Sequence, residues 1–140
     1  MIRALISFFA VIIILSGNAS LGDSGLIGLW SAPCNLGNPG GTQYTQTKTE
    51  FFANGTVKIE DSVYSNSKCA GPVVRTSPEM NGVYKVVQKS LRMTAVQGHT
   101  YEEVANFEIN GGVLSLTQIQ LFVDGKFYES ANDTILTRVR

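Results

Sequence analysis

Histidine and cysteine are scarce in this 140-residue sequence, which contains one histidine and two cysteines. A structural zinc site usually takes four ligands of these kinds, so we expect no metal site. Basic and acidic residues are equal in number, eleven each, and no basic stripe is present that would hold nucleic acid or anionic lipid. The composition therefore predicts a protein that does not bind nucleic acid.

Catalytic signatures are missing as well. The single histidine, His99, has no Gly-x-Ser-x-Gly nucleophile motif to work with. The glycines of residues 38–41 and 110–112 lie in turns with no helix after them, so they do not form a phosphate-binding loop. Glu102 and Glu103 are adjacent and would face opposite sides of a strand. We expect no catalytic residues, no cofactor and no enzymatic activity.

One long apolar run occurs, over residues 4–15, and it follows a single basic residue, Arg3. The run is short for a membrane span, and small residues up to Ala19 complete the layout of a secretory signal peptide. We expect residues 1–19 to be removed, leaving residues 20–140 as one secreted or periplasmic domain without stable membrane insertion. An uncleaved N-terminal anchor is the alternative.

The remainder of the sequence predicts β-strands, because turn residues recur at short intervals and no helical period appears. Asn54-Gly55 is the strongest hairpin signal, residues 35–42 are expected to be irregular, and residues 66–81 are expected to form a long connection. The nine candidate segments are 26–33, 43–52, 56–65, 82–87, 91–97, 101–109, 113–122, 126–130 and 134–139. The short segment 126–130 is counted as an extension of a neighbour or a loop, which leaves eight strands. Eight strands with short connections predict an all-β, up-and-down antiparallel barrel, with a two-sheet sandwich as the alternative.

Alternation of apolar residues indicates which side chains face inward, and two carboxylates, Asp61 and Glu103, fall in the inward phase. A carboxylate in a dry interior is costly, so these positions imply a wet mouth, a bulge, a cation such as Arg92 or Arg138, or the polar floor of a cavity. The apolar phase also slips within residues 113–121, which predicts a β-bulge near residues 117–118.

A row of threonines marks the second candidate strand. Thr45, Thr47 and Thr49 share one face, which we expect to point outward or to be mixed. If it points inward instead, that wall of the barrel is small and lined with hydroxyls.

The two cysteines, Cys34 and Cys69, lie 35 positions apart. An exported chain meets oxidising conditions, so we expect them to form a disulfide. Closing a loop of this length stabilises the fold by roughly 4 kcal/mol in the chain-entropy treatment.

The tripeptide Gly28-Leu29-Trp30 resembles the opening motif of the lipocalins and related calycin barrels. The resemblance implies that Trp30 closes one end of the barrel and that an arginine of the last strand, Arg138 or failing that Arg140, packs across its ring. The Thr-Asp-Tyr signature of the central lipocalin motif is absent from this chain.

A longer pattern is similar to the lipocalin-like ectodomain of the Wnt-inhibiting proteins down-regulated by adenomatosis polyposis coli. The pattern consists of Trp30, Cys34, Phe51, Phe52, Tyr64, Cys69, Pro72, Gly82 and Tyr84. This similarity implies a secreted barrel with a Cys34–Cys69 bridge and a lipid-accommodating cavity, and it carries over no role in Wnt signalling.

These observations favour a binding module for a small apolar or amphipathic ligand, held in the lumen of the barrel. The candidate lumen residues are Thr47, Ile59, Asp61, Met93, Glu103 and Phe107. One alternative is a protein-binding module that resembles the bacterial metalloprotease inhibitors, in which the N-terminal segment, here residues 20–26, enters a protease cleft. The other is a barrel filled by its own side chains, with no ligand.

Overall fold

The computed structural model describes residues 25–37, 40–129 and 132–140. The predicted signal peptide, its cleavage point after Ala19 and residues 20–24 lie outside the described residues. Eight strands form the main sheet: β1 (Gly28–Ser31), β2 (Tyr44–Phe51), β3 (Thr56–Tyr64), β4 (Met80–Val87), β5 (Ser90–Gln97), β6 (His99–Asn110), β7 (Val113–Val123) and β8 (Asp133–Arg138). In this part of the chain, no helix has the length and apolar character needed to cross a membrane.

Each strand pairs antiparallel with the next one along the chain, and β8 returns to pair with β1. The closing ladder places Trp30 opposite Arg138 and Ser31 opposite Thr137. The prediction of an eight-stranded up-and-down barrel is confirmed, and closure excludes the two-sheet alternative. A closed barrel leaves no long strand edge available for pairing with another chain.

The up-and-down path gives the barrel two different ends. At the lower end the chain enters β1 and makes three short turns, β2–β3, β4–β5 and β6–β7. At the upper end lie the β1–β2 loop, the long β3–β4 connection and the turns after β5 and β7. The predicted Asn54-Gly55 hairpin turn is formed at the lower end, where Gly55 has a φ of 82° and its N–H donates to the carbonyl of Phe52.

The apolar core fills the lower half of the barrel. Its largest fully buried side chains are those of Trp30, Tyr84, Phe51, Leu26, Leu91, Leu114 and Val57. The ring of Phe51 meets that of Tyr84 edge to face, at a centroid distance of 5.0 Å. The Tyr84 hydroxyl donates to the carbonyl of Phe52, so its polar end is satisfied where its ring is buried.

Short strands also form within the loop 35–42 and within the long connection 66–81. The expectation that residues 35–42 are irregular is wrong at Asn35–Leu36. Asn35–Leu36 pairs with the start of β2, and Arg75–Thr76 pairs with the upper part of β3. Strands β2 and β3 extend beyond their neighbours β1 and β4, so their backbone groups need other partners there. The third short strand, Lys126–Tyr128, pairs with the end of β7.

The predicted bulge is present in β7, close to its expected place. Val104 pairs with Gln120 and Ala105 pairs with Gln118, so Ile119 is the extra residue. Because one residue is inserted, the inward phase passes from Leu116 and Gln118 to Leu121, as the slip in the apolar pattern indicates.

Candidate functional site

The lower end of the barrel is closed by a cluster around Trp30, which is completely buried. The indole Nε1 donates to the carbonyl of Leu26 at 2.7 Å, and the Arg138 guanidinium carbon lies 4.2 Å from the ring centroid. The same guanidinium donates to the carbonyl of Ile27 at 2.8 Å and to that of Gly25. Arg138 rather than Arg140 therefore packs across Trp30, as the lipocalin resemblance implies. Its hydrogen bonds also hold residues 25–27, which precede β1, against the lower end of the barrel.

Gly28 is required by this closure for two reasons. Its φ is 128°, a region that side chains with a Cβ rarely adopt. A Cβ at this position would also lie 2.8 Å from Nη1 of Arg138. The glycine of the Gly-x-Trp motif thus makes room for the arginine that covers the tryptophan.

The upper half of the lumen differs from the lower half in burial. Along the inward phase of β6, Ala105 is fully buried, whereas Glu103 and Tyr101 above it are only half-buried. Along β7, Leu116 is 7% exposed, while Gln118, Leu121 and Val123 are half-buried. Solvent therefore reaches the inner wall at the upper ends of β6 and β7, whereas Val63 of β3 and Ala95 of β5 in the same upper half stay buried.

The threonine row of β2 faces this lumen, so the expectation of an outward or mixed face is wrong. Thr49 is buried and pairs with Ile59, and the Thr47 hydroxyl donates to Asp61 Oδ1 at 2.6 Å. Phe51, a core residue, follows the threonines in the same alternation along β2. An apolar residue in this phase is the feature of the sequence that indicates the inward face.

Asp61 lies at the upper mouth. Its backbone N–H donates to Ser77 Oγ at 3.1 Å, and its carbonyl accepts the N–H of Ser77 at 2.9 Å. Of the alternatives for this carboxylate, a wet mouth describes its position. Neither of the named cations meets it, because Arg138 lies at the lower end and Arg92 is exposed on the outside.

A cavity of about 360 Å³ opens beside Asp61. Its lining residues are Thr45, Asp61, Val63, Arg75, Thr76, Ser77 and Pro78. The segment that carries Arg75 and Ser77 was not anticipated as part of the site, because its short strand depends on pairing with β3 and leaves no alternating pattern in the sequence.

Glu103 forms a second polar position in the lumen, where its neighbours in register are Met93 of β5 and Leu121 of β7. Burial raises the pKa of its carboxyl above the ordinary value, and a hydrogen bond from the Gln118 side chain opposes this. The Gln118 Oε1 atom is buried and has no hydrogen-bond partner in the described structure. Gln118 was missed from the sequence because the bulge beside it obscured its phase.

The remaining candidate residues divide between two levels. Met93, which pairs with Glu103 across the strands, belongs to the buried core, and Ile59 packs against that core from β3. Phe107 also packs against the core, but it lines a different space, a half-open cavity of about 840 Å³ at the lower end. The four consecutive residues Asn106–Ile109 all line this space, and consecutive strand residues face opposite sides, so it is a groove at the edge of β6 rather than part of the lumen.

A disulfide and a histidine–aspartate pair lie at the upper rim of the barrel. The predicted disulfide Cys34–Cys69 is formed, with a Cα–Cα distance of 5.7 Å, and it ties the β1–β2 loop to the β3–β4 connection. On the opposite rim, Asp124 accepts the N–H of Thr100 and contacts His99 Nδ1 at 2.6 Å, and both interactions lower the pKa of its carboxyl. Both side chains of this pair are exposed, and His99 is the first residue of β6.

Within the residues that the structure describes, no three histidine, cysteine or acidic side chains converge as metal ligands would. No protein-family model, no curated protein and no solved structure matches the chain. The barrel and its site are therefore interpreted from their own geometry, and the lipocalin resemblance stays a prediction based on Trp30, Gly28 and Arg138.

Proposed function

We propose that this protein binds a small amphipathic molecule in the upper half of its barrel and has no catalytic activity. The observation that carries the proposal is the contrast between the two halves of the lumen. The lower half is closed by Trp30 and packed with buried side chains, whereas the upper wall keeps half-buried residues such as Tyr101 and Leu121. Partly exposed apolar side chains on the inner wall are the surface that a small ligand entering the mouth would cover.

The wall combines apolar and polar groups in a way that suits an amphipathic ligand. Met93 and Ile59 offer apolar surface at the floor of the open half, and Leu121 continues it upward. Thr47 and Asp61, on β2 and β3, and Glu103, on β6 across the lumen, supply hydrogen-bonding groups. Pockets for small molecules commonly have this composition, mostly apolar with a few polar groups that fix orientation.

The test is titration of the oxidised protein with N-phenyl-1-naphthylamine, a neutral amphipathic fluorophore. We expect saturable binding of one probe per chain. Leu121→Trp fills the upper lumen and should abolish binding, whereas Gln120→Trp, its exposed neighbour facing outward, should retain it. Thermal unfolding of both variants checks that they are folded. The absence of saturable binding, or equal loss in both folded variants, would show that the lumen is not the site.

The same proposal includes export from the cytoplasm, supported by the leader-like residues 1–19 and by the Cys34–Cys69 disulfide, which is typical of oxidising compartments. The exported protein should have the mass of a chain that begins at Ser20. A mature mass that includes the leader would favour the uncleaved anchor instead.

A further inference from the structure

We infer that the cavity at the upper mouth binds a zwitterionic head group, with its ammonium group beside Asp61 and its anionic group beside Arg75. The inference rests on the proposed function and names the polar end of the ligand. A carboxylate and a guanidinium line this one cavity of about 360 Å³. Its volume lies near the lower end of the range for ligand pockets, which suits a head group whose apolar chain extends into the lumen.

The two charged side chains project from neighbouring strands on one face of the sheet. Arg75 pairs with Val63, and Asp61 lies two residues from Val63 along β3. Residues directly opposite in an antiparallel pair share a face, and so do residues two apart in one strand, so Asp61 and Arg75 are diagonal neighbours. Such neighbours lie about 7–8 Å apart, which leaves room for a small group between the ends of their side chains.

Neither charge has an ionic partner among the described residues. The ion pairs in this part of the chain are Lys58–Glu79 and His99–Asp124. Asp61 is half-buried, and its Oδ1 accepts one hydrogen bond, from the Thr47 hydroxyl. A carboxylate offers about four acceptor positions, so this bond orients the group and leaves capacity for a ligand. Arg75 is exposed, and its guanidinium presents donors to the same cavity.

The segment that carries Arg75 is anchored, so the cavity exists before a ligand arrives. The backbone of Asp61 exchanges two hydrogen bonds with Ser77, at 3.1 Å and 2.9 Å. The next residue, Pro78, accepts a hydrogen bond from the Gln97 side chain at 2.6 Å, which ties the segment to β5 as well. A preformed site loses little conformational freedom on binding, which favours specific recognition of one head group.

A head group with a single charge would satisfy only one side of this cavity. A cation is attracted by the carboxylate and repelled by the guanidinium, and the reverse holds for an anion. A zwitterion meets each side with the opposite charge and makes charge-assisted hydrogen bonds to both. Hydroxyl and apolar side chains complete the lining, the former for further hydrogen bonds and the latter for the first carbons of the chain: Thr45, Thr76, Ser77, Val63 and Pro78.

The experiment is a calorimetric titration with three probes that share an alkyl chain and differ in their head groups. 2-Aminooctanoate is a zwitterion at about pH 7, octanoate lacks its ammonium group, and heptylamine lacks its carboxylate. We expect the parent protein to bind 2-aminooctanoate about ten-fold more tightly than either of the other two, as one hydrogen bond to a charged group predicts.

Two variants separate the two ends of the head group. Asp61→Asn keeps an oxygen that can accept from Thr47, and it should weaken 2-aminooctanoate and heptylamine about ten-fold without weakening octanoate. Arg75→Gln should weaken 2-aminooctanoate and octanoate by about the same factor without weakening heptylamine. Glu60→Gln and Arg92→Gln make the same changes of net charge on the outer face and should leave all three affinities within about two-fold.

Equal affinity of the parent for the three probes would overturn the head-group inference. The same would follow from equal effects of the cavity variants and the outer-face variants, because net charge would then explain them. If ligand-free Asp61→Asn and Arg75→Gln both melted at lower temperature and no head group were preferred, the two side chains would be partners of each other.

The source of the head group and the binding function are tested separately. Alanine carries the same head group without the chain and should bind far more weakly than 2-aminooctanoate. Equal affinity for alanine would support the head-group site but contradict an amphipathic ligand. If the three probes failed to bind while N-phenyl-1-naphthylamine bound, the head-group inference alone would be wrong. If the naphthylamine failed as well, the result would count against the proposed function itself.

Discussion

Arg138 joins three parts of the lower end, because its guanidinium covers Trp30 and donates to the carbonyls of Ile27 and Gly25. Replacing it by methionine keeps much of the chain length but removes the cation and both donors. We expect Arg138→Met to lower the free energy of unfolding by about 2–4 kcal/mol. Urea unfolding followed through the fluorescence of Trp30, the single tryptophan, measures this loss.

Arg140 supplies the control for that experiment, because it is exposed at the end of the chain. Arg140→Met should unfold at the urea concentration of the parent. If both variants lost the same stability, the effect would come from net charge and not from the contact with the indole ring.

Glu103 is predicted to make stability depend on pH. Its pKa is raised in the folded state, mainly by burial, so the folded protein holds this proton more tightly than the unfolded chain does. The free energy of unfolding therefore falls as pH rises from the ordinary value near 4.5 to the raised value, and the loss persists above it.

Glu103→Gln removes that titration. The variant should melt at a higher temperature than the parent at about pH 8 and lose this advantage at about pH 4. Melting temperatures measured across this range test the sign, with Glu102→Gln as the exposed control. A variant that is less stable than the parent at every pH would mean that the carboxylate makes a favourable contact in the folded state.

At the scale of the strand, deletion can test whether Ile119 is the extra residue of the β7 bulge. Removing Ile119 leaves Gln118 opposite Ala105 and Gln120 opposite Val104, so every inward side chain keeps its side. Removing Ser115 instead shifts Leu116, which is 7% exposed, from the core to the outer face. Exposure of a leucine costs about 1.5–3 kcal/mol, so the Ser115 deletion should be less stable than the Ile119 deletion by about that amount.

Denaturant unfolding of the two deletion proteins provides the comparison. Equal stability would mean that the bulge can move along β7 to restore the phase of Leu116. A greater loss on deletion of Ile119 would mean that the twist added by the bulge is needed to close the barrel.

The sequence predicted the strands well because their turns carry local signals, such as Asn54-Gly55, and because apolar residues alternate along most of them. It predicted the position of the bulge from a break in the same alternation. The face of Thr45 and Thr47 was not predicted, because threonine suits both an outer strand face and a hydroxyl-lined lumen. The partners of Gln118 and Ser77 were not predicted either, since they depend on contacts with other strands or on pairing beyond the local sequence.

For the whole molecule, the floor and the mouth of the barrel are held by different interactions. Trp30 and Arg138 hold the floor through packing and hydrogen bonds, whereas the Cys34–Cys69 bridge ties together two long connections at the mouth. The bridge spans 35 positions of sequence, and removing a crosslink of this span is expected to cost roughly 2–4 kcal/mol. Without the bridge, local unfolding should begin at the mouth, where the long connections are otherwise held only by short strands such as Arg75–Thr76.

The double variant Cys34→Ser/Cys69→Ser tests this division. We expect it to unfold at lower urea concentration than the parent but to keep the Trp30 fluorescence of the closed floor before unfolding begins. Amide hydrogen exchange should quicken in the upper part of β3 and in residues 75–77, while the backbone around Trp30 stays protected. Parent protein treated with a reductant should behave as the variant does. Rapid exchange at Trp30 in the absence of urea would show instead that the barrel cannot close its floor unless its mouth is tied.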